Sequence, residues 1–148
     1  MIAGEQRINE LLRDYWQRLR KGRPFPSDAD IDPDAIGDIW GSCFMVKASS
    51  PEAKEHGYRY EYLGTDLIEA FGGDITNEEV SSRLINPQSP PLQRHFDDVA
   101  RTGMPVEDEA EFTNRQGRVI KYRSCMVPIG KSPSGVDYII GAVKWKAY

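Results

Sequence analysis

The chain has 148 residues, 39% of them hydrophobic and 28% charged, with a net charge of -4. That is enough apolar material for one folded domain with its own core, and too much for a disordered chain. The acidic balance argues against a nucleic-acid binder, which needs a basic surface to neutralise phosphates, and no apolar run approaches the ~20 residues that cross a bilayer.

The N-terminal stretch MIAGEQRINELL lacks the continuous apolar core of a secretory signal. Cys43 and Cys125 sit in apolar, strand-like runs without metal or redox spacing, so buried free thiols and a cytoplasmic location are expected. Residues 5–21 place Ile8, Leu11, Leu12, Tyr15, Trp16 and Leu19 at intervals of three and four. This is one apolar stripe on a helix of about four turns. Arg18, Arg20, Lys21 and Arg23 complement the negative end of the helix dipole, and Gly22 and Pro24 close it. The stripe must bury against the sheet of its own chain or against the same helix of a second copy.

From Pro24 to Ile39 the composition turns to Pro and Asp. Asp32 before Pro33 predicts an N-cap with proline at the first helical position, and a single helical turn through Ile36. Asp28, Asp30, Asp32 and Asp34 lack the glycine and distal glutamate of a calcium loop, so capping and solvation are expected and no metal. Ser42 to Ala48 reads as the first strand. Tyr58 to Leu63, alternating aromatic and polar residues, reads as the second. His56 falls in the polar connection between them.

After Gly64-Thr65 the period changes, and Leu67, Ile68 and Phe71 share one side of a short helix that Gly72-Gly73 ends. A second short helix is expected over Asn77–Leu84. Ser89, Pro90 and Pro91 then open a longer helix whose buried stripe is Leu92, Phe96, Val99 and Ala100, up to Gly103. Three strands finish the chain, Val106–Thr113, Arg118–Ile129 and Asp137–Trp145, with a turn at Asn114 to Gly117. This order fits an α+β fold: a five-stranded antiparallel sheet with the middle helices on one face and the amphipathic first helix over the other. Both sheet faces are then partly apolar, which accounts for strands such as DYIIGAVKW that do not alternate cleanly.

With these elements in place the chain resembles a PAS domain, in particular the compact bacterial PAS-like family. The residues that carry the likeness are Tyr15-Trp16 with the Leu19 region, the turn Asp30 to Pro33, Tyr60 to Thr65 with GTDLIEAFGGDIT, the helix end Arg101-Thr102-Gly103-Met104-Pro105, and the final VDYIIGAV. The likeness spans nearly the whole chain, so that residues 1–148 form a single PAS-like domain, with 1–40 as helix and cap and 41–148 as core. It implies the sheet order 2-1-5-4-3, helices enclosing a small pocket, and a non-catalytic regulatory role in signal transduction. A small apolar ligand or a protein partner would be bound, and the output supplied in trans. A homodimer through the first helix is the expected assembly, without nucleic acid or membrane. The competing expectation is a small α+β enzyme or carrier with a cone-shaped apolar cavity.

The expected ligand-binding residues are Leu67, Phe71, Ile85, Leu92, Phe96, Val99, Tyr122 and Ser124, which in the simpler reading only fill the core. His95, Asp66, Asp74 and Asp108 are the candidates for acid-base chemistry, but no motif fixes a role for them, and capping or surface positions are expected instead. No cofactor is identified. The resemblance would admit haem through His95, although the family's ligand position falls one turn earlier, on Leu92. Flavin is not expected, because the asparagine-cysteine-arginine run of flavin photosensors is absent from the helices. The acidic run Glu107, Asp108, Glu109 and Glu111 reads as a strand with Glu107, Glu109 and Glu111 on one face, expected to pair with Arg118, Lys121 and Arg123 across the turn, or else to offer a docking face to a basic partner.

Overall fold

The computed structural model describes residues 3–48, 58–71, 91–114, 116–130 and 135–148. It begins with helix α1 (Ala3–Arg20), followed by 3₁₀ turns at Asp28–Asp30 and Pro33–Ile36 and the single turn α2 (Gly37–Trp40). The remaining elements are β1 (Cys43–Ala48), β2 (Tyr58–Leu63), α3 (Thr65–Phe71), α4 (Pro91–Thr102), β3 (Val106–Thr113), β4 (Val119–Ile129) and β5 (Tyr138–Ala147). The second short helix expected over Asn77–Leu84, and the connection carrying His56, lie outside the described residues.

The Pro/Asp segment is a chain of caps. Asp32 Oδ1 accepts from the Asp34 amide (3.1 Å), with Pro33 at the first helical position. Just before it, the Asp30 carboxylate accepts from the Ser27 amide (2.9 Å) and from the Arg23 guanidinium (2.7 Å). These two contacts, the Ser27 amide first, hold the Asp30 carboxyl below its ordinary value. Arg23 also donates to the carbonyls of Leu19 (2.7 Å) and Arg20 (2.9 Å), so one side chain ties the end of α1 to the cap that follows.

The five strands form one antiparallel sheet in the order β2-β1-β5-β4-β3. Because side chains alternate along a strand, the sheet has two cores. The inner face carries Phe44, Val46, Met126, Ile139 and Val143, packed against Leu63 and against Leu67 of α3 and Phe96 and Val99 of α4. The outer face carries Cys43, Cys125, Val127, Ile129, Ile140 and Ala142 beneath Leu12, Tyr15 and Trp16 of α1. The stripe on α1 is thus buried against its own sheet, and Leu11 is the member left exposed. Two hydrogen bonds fix α1 there. Trp16 Nε1–H donates to the Pro128 carbonyl (2.7 Å), and the Tyr15 hydroxyl accepts from the Asp32 amide (2.7 Å). Pro128 is tolerated inside β4 because β3 pairs only as far as Met126, so the missing N–H falls beyond the neighbouring strand. α1 therefore lies on the face opposite α3 and α4, as the element order leads one to expect.

The junction between β2 and α3 is held by backbone contact. A Cβ at Gly64 would run into the Gly41 carbonyl, and the Gly64 amide donates to the Cys43 carbonyl (2.9 Å). The Asp66 amide reaches the Gly41 carbonyl (3.0 Å), while its carboxylate accepts from the Ser42 hydroxyl (2.8 Å). From the other end of the sheet, Trp145 Nε1–H donates to the Asp66 carbonyl (3.1 Å) and Asn114 Nδ2–H to the Ala70 carbonyl (3.0 Å). Both ends of α3 are thereby tied to strands or turns distant in the chain. Among the described residues, no helix is long and apolar enough to cross a membrane.

Candidate functional site

Among the described residues, the inner face turns from apolar to polar where β3 meets β4. On β3, Val106, Asp108 and Ala110 stand opposite Met126, Ser124 and Tyr122 of β4. Since Met126 lies in the inner core and Val106 packs against it, Asp108 and Ser124 face the same side. Opposed residues of antiparallel strands place their Cβ atoms about 4.5–5.5 Å apart. From above, α4 brings His95 to this pair, and its Nε2 lies 3.0 Å from Asp108 Oδ1. The Asp108 side chain is 10% exposed and that of His95 25%, whereas Ser124 is 1% exposed.

The hydrogen bonding here is incomplete. His95 Nδ1, Asp108 Oδ2 and Ser124 Oγ are all buried without a hydrogen-bond partner among the described residues. A buried polar atom left so costs about 1–3 kcal/mol. Tyr122, next on the inner side of β4, has its hydroxyl pushed well above its ordinary value by burial and then by the Asp108 charge. The phenol therefore stays protonated beside the carboxylate. Together the cluster offers a carboxylate acceptor, a serine hydroxyl that can donate or accept, and an imidazole nitrogen. Val106, Met126 and Phe96 of the inner core flank it on this face, and the Phe96 ring meets that of Phe44 edge to face at 5.8 Å; the cleft that Asp108 and Ser124 border is otherwise lined by polar and charged residues such as Asn9, Arg13 and Glu107.

The structure brings together five of the eight residues expected to line a pocket. Leu67, Phe96 and Val99 are fully buried in the inner core, Tyr122 packs against that core and Ser124 lies beside it. Phe71 closes α3, Leu92 falls in the first turn of α4, and Ile85 lies outside the described residues, as does Asp74. Asp108 is misjudged by the sequence, which expects a capping or surface position. A signal is nevertheless present in its strand: VEDEAEFT alternates, so Asp108 shares its face with Val106 and Ala110 while Glu107, Glu109 and Glu111 take the other. His95, the residue through which the resemblance would admit haem, turns its Nε2 to that carboxylate.

The two thiols take no part. Both belong to the outer core, and burial pushes Cys43 up to about 12 and Cys125 up to about 11. Among the described residues no group of three His, Cys, Asp or Glu side chains is placed to hold a metal ion.

A family model described as PAS domain matches residues 5–144. A comparison with curated proteins finds no match. Among solved structures, a light-oxygen-voltage domain studied with a flavin analogue is similar, with a TM-score of 0.59 at 9% identity, over 76% of this chain and 82% of that one. The LOV domain of a blue-light activated histidine kinase from Erythrobacter litoralis gives 0.55 at 11% identity, over 72% of this chain and 96% of that one. The Rhodobacter sphaeroides LOV protein gives 0.54 at 13% identity, over 70% of this chain and 58% of that one. At such identities the likeness is one of fold.

These matches overturn the exclusion of flavin drawn from the sequence. The missing asparagine-cysteine-arginine run is a local sign that bears on bond formation to a thiol. This chain shares its fold with LOV domains, one of them studied with a flavin analogue.

Proposed function

Because this chain belongs to the PAS domain family, we propose that it is a sensory module that holds a small ligand against the inner face of its sheet. It passes the occupancy to a separate signalling protein and performs no turnover of its own. The observation that carries this reading is the group of polar atoms without a hydrogen-bond partner among the described residues, Ser124 Oγ, Asp108 Oδ2 and His95 Nδ1, beside the inner apolar core. A ligand that supplies the matching donors and acceptors removes the cost of leaving those atoms unpaired, and that gain is specific to it. The chemistry called for is a compact ring with an N–H beside a C=O on one edge and apolar surface elsewhere. The N–H would donate to Asp108 Oδ2, and the C=O would accept from the Ser124 hydroxyl.

A flavin falls within that class, since its ring carries such an edge, and Asp108, Ser124 and His95 are the residues that would hold it. When bound, a flavin supplies a light-absorbing, redox-active ring. Cys43 and Cys125 face the other side of the sheet, so binding at this site is non-covalent.

The test is Ser124→Ala, with ligand retention read by native mass spectrometry and absorbance after incubation with riboflavin 5′-phosphate. Removing a hydroxyl that has no partner among the described residues leaves the melting temperature of the empty protein unchanged or slightly raised, and lowers ligand affinity about 3- to 10-fold, the worth of one hydrogen bond. A wild-type protein that carries no bound species and takes up no ring compound would defeat the proposal. So would a Ser124→Ala variant that loses stability and keeps its ligand.

A further inference from the structure

Coverage of the outer face by α1 is only partial. In β4 burial is continuous from Ser124 to Ile129, while Lys121 and Arg123 are exposed; in β5 it is continuous from Ile139 to Val143, while Lys144 and Lys146 are exposed. The uncovered half of the face is crossed by two rows of side chains. Arg123 stands directly opposite Lys144 on β5, and Lys121 directly opposite Lys146. Like charges opposed across strands repel, and here they do so twice in succession.

On the β3 side the rows continue to Glu109 and Glu111. Arg123 Nε lies 3.6 Å from Glu109 Oε2, so the expected cross-strand pairing is present. The outcome for the face is nevertheless opposite to the acidic docking surface considered from the sequence. Its cations outnumber its carboxylates, because β5 adds Lys144 and Lys146 without an acid of their own. Glu107, the remaining member of the acidic run, pairs with Arg13 of α1 at 3.4 Å. The exposed ring of Tyr148 lies beneath the Lys121 and Lys146 ammonium groups, at 4.7 and 5.7 Å. Lys121, Arg123, Lys144, Lys146 and Tyr148, with Glu109 and Glu111 on the β3 side, line an open cleft of about 580 Å³.

We propose that this uncovered half of the outer face is a docking surface for an acidic segment of a partner protein, with carboxylates at alternate residues. Charge complementarity selects the occupant. A carboxylate placed between Arg123 and Lys144, and another between Lys121 and Lys146, converts each repulsive pair into a bridged one. Same-face residues of a strand are about 6.6 Å apart, which is also the repeat of alternate side chains in an extended acidic segment. A uniformly anionic surface such as a bilayer or nucleic acid fits less well, since Glu109 and Glu111 stand in the same rows and the whole chain carries -4. The proposal rests on the outer face and is independent of the inner-face ligand.

The experiment measures binding of a fluorescent peptide of alternating Glu and Ser by anisotropy, at low and then raised salt. The wild type binds it and loses it with salt. The double variant K144E/K146E binds at least about tenfold more weakly, yet melts about 1–2 °C higher because its cross-strand pairs are now of opposite sign. K144Q/K146Q binds with intermediate strength and, having lost the repulsion, melts no lower than the wild type. The proposal is overturned if the wild type ignores the peptide, if K144E/K146E binds it equally well, or if these variants melt lower than the wild type. It is also overturned if phosphatidylserine vesicles or a single-stranded oligonucleotide bind as tightly as the peptide, or if the face proves to pair with a second copy, seen as salt-sensitive self-association that K144E/K146E abolishes.

Discussion

Gly64 shows how much can hang on the lack of one carbon. Its position between β2 and α3 is filled by the Gly41 carbonyl and, at 2.9 Å from where a Cβ would stand, the Cys43 carbonyl. Both obstacles are backbone, so neither can swing aside as a long side chain can. Gly64→Ala is therefore expected to cost about 1–3 kcal/mol, the usual price of forcing an atom into a packed site, read as a lowered urea midpoint with unchanged slope. A wild-type midpoint would mean that the α2–β1 backbone yields. From the sequence Gly64 is legible as the break between a strand and a helix, and the break is where the structure has it. That the glycine answers to another glycine distant in the chain is not legible, because nothing in the intervening residues encodes the contact. The same holds for His95 and Asp108, whose pairing is created only when α4 comes to rest over β3.

At the scale of elements, α1 decides what the outer face of the sheet is. Trp16 is 1% exposed and spends its only hydrogen on Pro128. Trp16→Ala removes the largest side chain of that core and leaves a carbonyl without its donor. The expected loss is about 3–5 kcal/mol, measured by denaturant unfolding; a loss near zero would mean that α1 is not needed to cover the sheet. The helix itself is plain in the sequence, since its stripe repeats at three and four, and its basic end and glycine stop agree with the period. The split in β4 is also written there. IKYRS alternates and CMVPI does not, and the change of pattern falls where coverage by α1 ends. The sequence alone leaves two surfaces for the stripe, the chain's own sheet or a second copy, because an apolar stripe records that it is buried and not by what.

For the whole molecule, the titrating groups give a stability that depends on alkaline pH. Cys43 rises from 9.0 to about 12 and Cys125 from 9.0 to about 11, and burial is the main cause in each. A thiol that resists ionisation in the folded state but ionises freely when unfolded contributes fully below its unfolded value, and that contribution is lost as pH rises toward the folded value. Tyr122, raised in the same direction from 10.0, adds to the effect. Unfolding free energy should therefore hold steady from neutrality to about pH 9 and fall beyond it, and iodoacetamide should leave both thiols unmodified until the protein unfolds. A flat profile through the alkaline range, or rapid labelling of the native protein, would contradict the buried placement of these cysteines. The fold was open to inference because period, caps and turns point to one element order, and that order has few compact solutions. Cofactor chemistry is less open to it, since a run missing from the helices says nothing of polar atoms such as Asp108 Oδ2 and Ser124 Oγ that strands contribute. One further property follows from the alternation along β4. Ser124 and Arg123 are joined by a single peptide step, roughly 3.3 Å, yet one is sealed within the inner face and the other stands in water. A sheet one layer thick has no interior through which a displacement must travel. The serine of the inner face and the row of cations on the outer face are thus neighbours on a single strand.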